Sequence, residues 1–298
     1  MNSEPDWALY RTFLAVTQEG SLSGAARRLG LTQPTVARHV EALERGLGAN
    51  LFVRSQRGLT PTEIALDLQP HAEALALDAA MLWRAASGRS GEVRGAVRVS
   101  ASEVVGVEHL PPILADLKQA HPGLVIELVL SNTVDDLLRR EADIAVRQIE
   151  PVQGALAARR LPPIPLGLYA REDYLARRGT PGSLEALAGH DLIGFDQETP
   201  AMRALVARYP PMRRAAFGLR ADSDLAQLAA IRAGFGIGMC QVPIARREAR
   251  LVRVLEAEVA VDLGLWVVMH EDLKTSRRCR MVFDALAAGL RTSVGAGS

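Results

Sequence analysis

Residues 21–44 read SLSGAARRLGLTQPTVARHVEALE, and their side chains carry recognisable chemistry. Val36, Val40 and Leu43 share one helical face, which leaves Gln33, Thr35, Arg38 and His39 off that stripe. Gln and Arg each place two hydrogen-bonding groups in one plane, matching the edges of bases. The hydroxyls of Ser23, Thr32 and Thr35 suit phosphate oxygens. Pro34 sits in the first helical turn, where a missing N–H costs little, and the helix N-terminus favours an anion. Two short helices around a turn at Gly30, the second showing polar residues outward, form a helix-turn-helix for the major groove. The same residues would also make an ordinary solvated face.

The surrounding residues strengthen the first reading. From Arg27 to Arg57 there are six arginines against two acids, a net of +4 within a chain whose overall charge is only +1. Such a run gives a phosphate footprint, and alone it equally fits a solvated surface. Asp6 caps a first helix whose Leu9, Phe13 and Val16 point one way, and Gly20 ends it. Ser21 or Ser23 caps the second, where Ala25 and Ala26 allow close crossing. Residues 50–60, NLFVRSQRGLT, outline a short strand, a basic turn and a return, a wing placing Arg54 and Arg57 near backbone or minor groove.

Thr60-Pro61-Thr62-Glu63 then has the form of a capping box, with Thr60 as N-cap. The helix it starts is expected to reach about residue 87 and to kink at Pro70. Ala65, Leu68, Ala72, Leu75, Ala79, Leu82 and Ala86 alternate in threes and fours, a seam for pairing with a second copy. A helix packed on its own domain shows the same stripe.

This order of parts resembles the LysR-type transcriptional regulators. The matching residues are Phe13 and Val16, Ser21-Leu22-Ser23, Ala25-Ala26, Leu29, Gln33-Pro34, Val36, Leu43-Glu44, Leu47-Gly48, Leu51-Phe52-Val53-Arg54 and Leu59-Thr60-Pro61-Thr62. Thr32 and Ala37 depart from a common Ser, and Glu63-Ile64 from a usual Gly. The resemblance implies an α/β multidomain protein: a winged helix-turn-helix over residues 1–60, a long linker helix and hinge over 61–90, and an effector domain over 91–298. It implies dimers, or dimers of dimers, on double-stranded DNA with dyad symmetry. Carried over, the DNA-contacting positions are Gln33, Thr35, Arg38 and Arg54; Ser23, Thr32, Pro34, His39 and Arg57 complete the candidate set.

Beyond a small, polar hinge at 87–94 the chain alternates. Strands are expected at 96–100, 124–130 and 144–147, with helices at 110–120 and 134–140, the pattern of a parallel α/β sheet. Pro162-Pro163-Ile164-Pro165 interrupts it. Strands at 166–169, 192–195, 217–220 and 237–240 follow, then a returning strand at 263–269 and a closing helix at 276–291. Two α/β subdomains joined by crossing segments near 162–167 and 262–268 result, about 91–163 with 268–298, and 164–267. This resembles periplasmic ligand-binding proteins.

Ligands of open α/β sheets lie beyond the carboxyl ends of strands. That selects Ser100, Ala101, Ser102 and Glu103, then Asn132 and Thr133, Arg147 with Gln148, Phe195 and Asp196, and Asp222 and Ser223. Ser102 and Thr133 would offer hydroxyls to a carboxylate, with Arg147 as its bidentate partner. The alternative makes Arg147 a structural ion pair and the hydroxyls helix caps. Glu103 and Asp196 oppose a simple anion, so a zwitterion or hydroxylated ligand stays open.

No cofactor or metal is expected. Gly234-Phe235-Gly236-Ile237-Gly238 lacks the third glycine of a dinucleotide loop, since Met239 stands there, and reads as a turn into a buried strand. Cys240 and Cys279 have no metal-type spacing and read as buried thiols. The polar, acidic start and the absence of long apolar runs point to a cytoplasmic protein without a membrane partner. No nucleophile elbow, phosphate loop or clustered metal ligands support the alternative of an enzyme with a DNA-binding appendage. A pure small-molecule receptor is the third possibility. The expected function is transcription regulation by a small-molecule effector bound between the subdomains.

Overall fold

Glycines and capping side chains divide the chain up to residue 61 into short elements. The computed structural model describes residues 5–55, 58–86, 93–132, 142–151 and 156–295. It divides into two compact units, taken separately below.

In the first unit α1 (Trp7–Glu19) starts where the Asp6 carboxylate accepts from the Ala8 N–H and stops at Gly20, φ +62°. Ser21 caps α2 (Leu22–Leu29), accepting from Gly24 N. Thr32 caps α3 (Gln33–Leu47), accepting from Thr35 N, with Pro34 in the first turn. Val36, Val40 and Leu43 are buried as expected, with Ala25, Ala26 and Val16 against the first two and Phe13 against Leu43.

Strands β1 (Phe52–Ser55) and β2 (Gly58–Pro61) form the antiparallel wing, Val53 opposite Thr60. Leu59 N donates to Gly20 O, so the wing is tied to the end of α1. Gly58 has φ +120°, and a Cβ there would lie 2.6 Å from Gly20 O, so only glycine fits that approach.

Helix α4 (Glu63–Ala86) begins later than the sequence suggests. Thr60 and Pro61 are strand residues, and Thr62 is the cap: its Oγ1 accepts from Ala65 N and its carbonyl from Leu66 N. Hairpin pairing of Thr60 with Val53 displaces the capping box by two residues. The helix continues across Pro70. Ala65 and Ala72 pack against Phe13, Leu14, Leu43 and Leu51, whereas Leu75 and Leu82 are exposed. The stripe therefore serves its own domain at its N-terminal end and lies open further along.

In the second unit the largest sheet has the order β10-β6-β11-β5-β3-β4, with β9 also on β6. Its strands are β3 (Gly95–Ala101), β4 (Leu124–Leu130), β5 (Ile144–Arg147), β6 (Leu156–Arg171), β9 (Gly238–Gln241), β10 (Leu251–Val254) and β11 (Val261–His270). β3 runs parallel to β4 and β5, but β11 is antiparallel to β5 and β6, and β6 to β9 and β10. The sheet is thus mixed, where the βα alternation suggested parallel. Strands β7 (Leu192–Gly194) and β8 (Phe217–Arg220) form a small parallel pair.

The two crossing segments are the long strands β6 and β11. The start of β6 and end of β11 belong with β5, while the end of β6 carries β9 and β10. The proline stretch lies inside β6 instead of breaking it. Leu263 faces Ile164 but Leu265 faces Leu161, so β6 gains a residue over β11 and Pro162-Pro163 occupy the bulge.

Helices α5 (Glu103–Glu108), α6 (Leu110–Ala120) and α11 (Arg277–Gly295) cover the first lobe. Its core joins Val97, Val99, Leu117, Ile144, Val267, Phe283 and Leu286. Helices α7 (Glu172–Arg178), α8 (Pro200–Arg208), α9 (Asp224–Ala233) and α10 (Val242–Ala245) belong to the second lobe. The glycine-rich segment is the turn from α9 into β9; a Cβ on Gly236 would meet Asp191 O at 2.0 Å. The expected helix at 134–140 and most of the hinge at 87–94 lie outside the described residues. Both cysteines are buried.

Candidate nucleic-acid interface and ligand cavity

On α3 the residues opposite the buried stripe stand in solvent. Gln33, Pro34 and Arg38 are exposed, and so are Ser23 on α2 and Arg54 on β1. Thr32 and Thr35 share a hydrogen bond between their hydroxyls, 2.8 Å long, at the helix start. The Arg38 and Gln33 side chains have no ion-pair or hydrogen-bond partner among the described residues. Arg57 lies outside the described residues. His39 is half-buried and placed differently from its neighbours. The Thr12 hydroxyl donates to Ala8 O, so its contact with His39 Nδ1 at 2.9 Å requires Nδ1 to donate. His39 therefore ties α3 to α1 with one ring nitrogen.

A residue given no individual role by the sequence reading holds the wing. Glu44 Oε1 accepts from Leu51 N at 2.7 Å and Phe52 N at 3.3 Å. Thr62 grips the same turn from the other side, its hydroxyl reaching Asn50 O and its N–H Leu51 O. The direction of the wing, and so of Arg54, depends on α3 through this carboxylate.

The second unit holds a cavity of about 590 Å³ beside β6, β9 and β11. Val104, Leu166, Phe195, Met202, Leu205, Leu228, Met239, Ile244 and Leu263 make most of its wall, with Ser102, Gln148, Thr199, Gln227, Cys240 and Gln241 among the polar residues. Arg208 and Asp224 are its charged lining among the described residues. Burial pushes the Cys240 thiol up to about 12, so it stays protonated.

Of the strand-end residues selected from the sequence, Ser102, Gln148 and Phe195 line this cavity. Ser100 is buried and accepts from Arg147 Nη2 at 2.7 Å; Nη1 of the same guanidinium donates to Val146 O. Ala101 is buried, its carbonyl taken by Ser131 N. Asp222 accepts from the N–H groups of Asp196 and Gln197, and Asp196 pairs with Arg214, so both shape a loop. Thr133 lies outside the described residues.

The remaining three residues join the lobes. Ser223 caps α9 and donates to Glu103 Oε2 at 2.9 Å. Asn132 Oδ1 accepts from Glu103 N, and its Nδ2 donates to Asp224 Oδ2. Burial, then the nearby Glu103 charge, holds the Asp224 carboxyl above the usual range. A third link runs from Arg232 on α9 to Glu108 on α5 at 2.7 Å. Its hydrogen bond to Arg232 holds Glu108 below the usual range.

A winged helix-turn-helix with an outward polar helix, joined in one chain to a two-lobed α/β unit with a cavity, defines the architecture of a bacterial regulatory protein. The family model for the bacterial regulatory helix-turn-helix protein of the lysR family matches residues 7–66, and that for the LysR substrate binding domain residues 90–291. The chain belongs to the LysR family. It is 32% identical over 185 residues to the HTH-type transcriptional regulator CrgA of Neisseria meningitidis, covering 62% of each protein. The chain thus spans less than two thirds of that relative's length. A probable HTH-type transcriptional regulator, LtrA of Klebsiella pneumoniae, is 28% identical over 300 residues, covering 96% of this chain and 94% of its own. The solved structure of CrgA from Neisseria meningitidis superposes with a TM-score of 0.60 at 26% identity, over 96% of this chain and 99% of that one.

Proposed function

We propose that this chain is a sequence-specific transcription regulator that binds double-stranded DNA through α3 and the wing, and a small-molecule effector in the cavity of its two-lobed unit. The observation that carries the reading is the outward face of α3. Gln33 and Arg38 stand exposed, without a partner among the described residues, beside the hydroxyls of Thr32 and Thr35 at a helix N-terminus. A free planar amide and guanidinium suit base edges, and the N-terminus with its hydroxyls suits phosphate. Arg54 on the wing supplies a backbone or minor-groove contact, with Arg57, Ser23 and Pro34 in the same set.

The exposed Leu75 and Leu82 of α4 support pairing with a second copy, giving a dimer or a dimer of dimers on a dyad-symmetric site. The effector changes the relative angle of the lobes and thereby the spacing of paired DNA-binding units, a population shift between two arrangements. The relatives are regulators, which favours this reading over an enzyme. No helix among the described residues is long and apolar enough to cross a membrane, which fits a protein working on DNA in the cytoplasm.

The test is a gel shift with the full chain on its own upstream DNA at near-physiological salt. A complex that survives excess unrelated competitor DNA and is lost in Arg38→Ala supports the proposal. Binding that unrelated DNA removes completely refutes it.

A further inference from the structure

The polar groups the cavity leaves unsatisfied define what it takes, an inference that rests on the cavity being the effector site. Ser102 is 5% exposed, and its buried hydroxyl has no hydrogen-bond partner among the described residues. Gln227 donates through Nε2 to Ala221 O at 2.7 Å, which fixes its amide so that Oε1 is the free end. Gln241 is oriented from behind. Its Oε1 meets Nε2 of the buried His109 at 2.8 Å, and His109 Nδ1 meets Ser293 Oγ at 2.8 Å. That leaves Gln241 Nε2 as a donor. All three residues line the cavity.

Charge is arranged differently. The Arg147 guanidinium donates to Ser100 Oγ and Val146 O and is not part of the described lining. Arg208 is exposed and lies over the Tyr209 ring. Asp224 already accepts from Asn132. An ionised ligand would lose its hydration without a dedicated partner, which is far more costly than burying a hydrogen-bonded amide.

We infer that the cavity takes an uncharged, mainly apolar small molecule whose single polar group both accepts and donates hydrogen bonds, as a primary carboxamide does, read by Ser102, Gln227 and Gln241. The ligand carbonyl accepts from Gln241 Nε2, its N–H donates to Gln227 Oε1, and the Ser102 hydroxyl completes the set. His109 is a positioning residue that holds the Gln241 amide in this sense.

The experiment titrates the full chain calorimetrically with four molecules of one skeleton: hydrocinnamamide, hydrocinnamate, phenylpropylammonium and propylbenzene. The amide is expected to bind at least roughly tenfold more tightly than the other three, because each of them leaves buried polar groups unpaired or buries a charge. Gln241→Leu and Ser102→Ala should each remove most of that preference while propylbenzene affinity stays level, which also shows that the variants fold. His109→Leu should erode the preference in the same sense. Tighter binding of the carboxylate or the ammonium overturns the ligand class and leaves the cavity as a ligand site. Binding of none of the four overturns both the ligand class and the cavity reading, while the gel shift judges the DNA-binding reading independently.

Discussion

Removing the Glu44 carboxylate should loosen the wing without unfolding the helices. Its Oε1 accepts two backbone N–H groups, from Leu51 at 2.7 Å and Phe52 at 3.3 Å. Leu51 is fully buried, so water cannot readily replace the lost acceptor. Hydrogen bonds to a charged group contribute about 1.5–3 kcal/mol each, and the longer contact lies at the weak end. Glu44→Ala should therefore cost about 3–4 kcal/mol locally, whereas Glu44→Gln, which keeps one oxygen, should cost about 1 kcal/mol. Native-state hydrogen exchange at the Leu51 amide reads the difference directly. At about 1.4 kcal/mol per factor of ten, Glu44→Ala should speed exchange there by roughly 100-fold or more, with little change at Val40 in α3. Exchange at Leu51 within about twofold of the parent would refute the clamp. Equal damage from Glu44→Gln would show that a neutral oxygen cannot replace the carboxylate, and no damage from it would show that the charge contributes nothing.

Arg38→Ala should weaken specific DNA binding by about 1–3 kcal/mol in a competition gel shift and leave small-molecule binding in the other unit unaltered. Leu82→Glu, at a side chain 73% exposed, should leave monomer stability intact and shift the chain toward monomer in light scattering if α4 carries the self-association. Gly58→Ala should destabilise the first unit by more than about 1 kcal/mol in urea, since its φ of +120° and the approach to Gly20 O both exclude a side chain. Burial holds the His109 imidazole below its ordinary 6.5, so the unfolded chain takes up that proton first. Stability from His109 is complete above about 6.5 and falls as pH drops toward the folded value; urea midpoints from pH 7 to 5 should fall less steeply in His109→Gln than in the parent.

Local signals were the most legible. Asp6, Ser21 and Thr32 each accept a backbone N–H at a helix start, because a capping oxygen needs only its own next three residues. The strand at 124–130 and the helix at 110–120 were read with their observed limits for the same reason. Signals failed where a distant partner competes. The capping box at Thr60 lost to hairpin pairing with Val53, and the proline stretch stayed in a strand because β11 tolerates a bulge beside it. The strand-end rule found Ser102, Gln148 and Phe195, but much of the cavity wall comes from the middle of helices and strands, such as Met202, Leu228 and Leu263, whose types are those of any core. Nothing in the spacing of His109, Gln241 and Ser293 shows that they form one hydrogen-bonded row.

The lobe contacts set the energy scale of the proposed switch. Glu103–Ser223, Asn132–Asp224 and Glu108–Arg232 cross between the lobes beside the cavity. Hydrogen bonds and partly exposed ion pairs of this kind contribute about 1 kcal/mol each, so together they hold one arrangement by a few kcal/mol. A ligand shifts such an equilibrium only by its differential affinity for the two arrangements, and a small molecule can supply that much from one buried polar group and some apolar surface. A much larger set of links would make the lobes insensitive to any effector. Glu103→Ala, which removes one link while leaving Ser223 to cap α9, should therefore alter the effector concentration needed for half response without abolishing the response. Loss of all response with effector binding intact would mean that the Glu103–Ser223 bond is itself the transmitting contact.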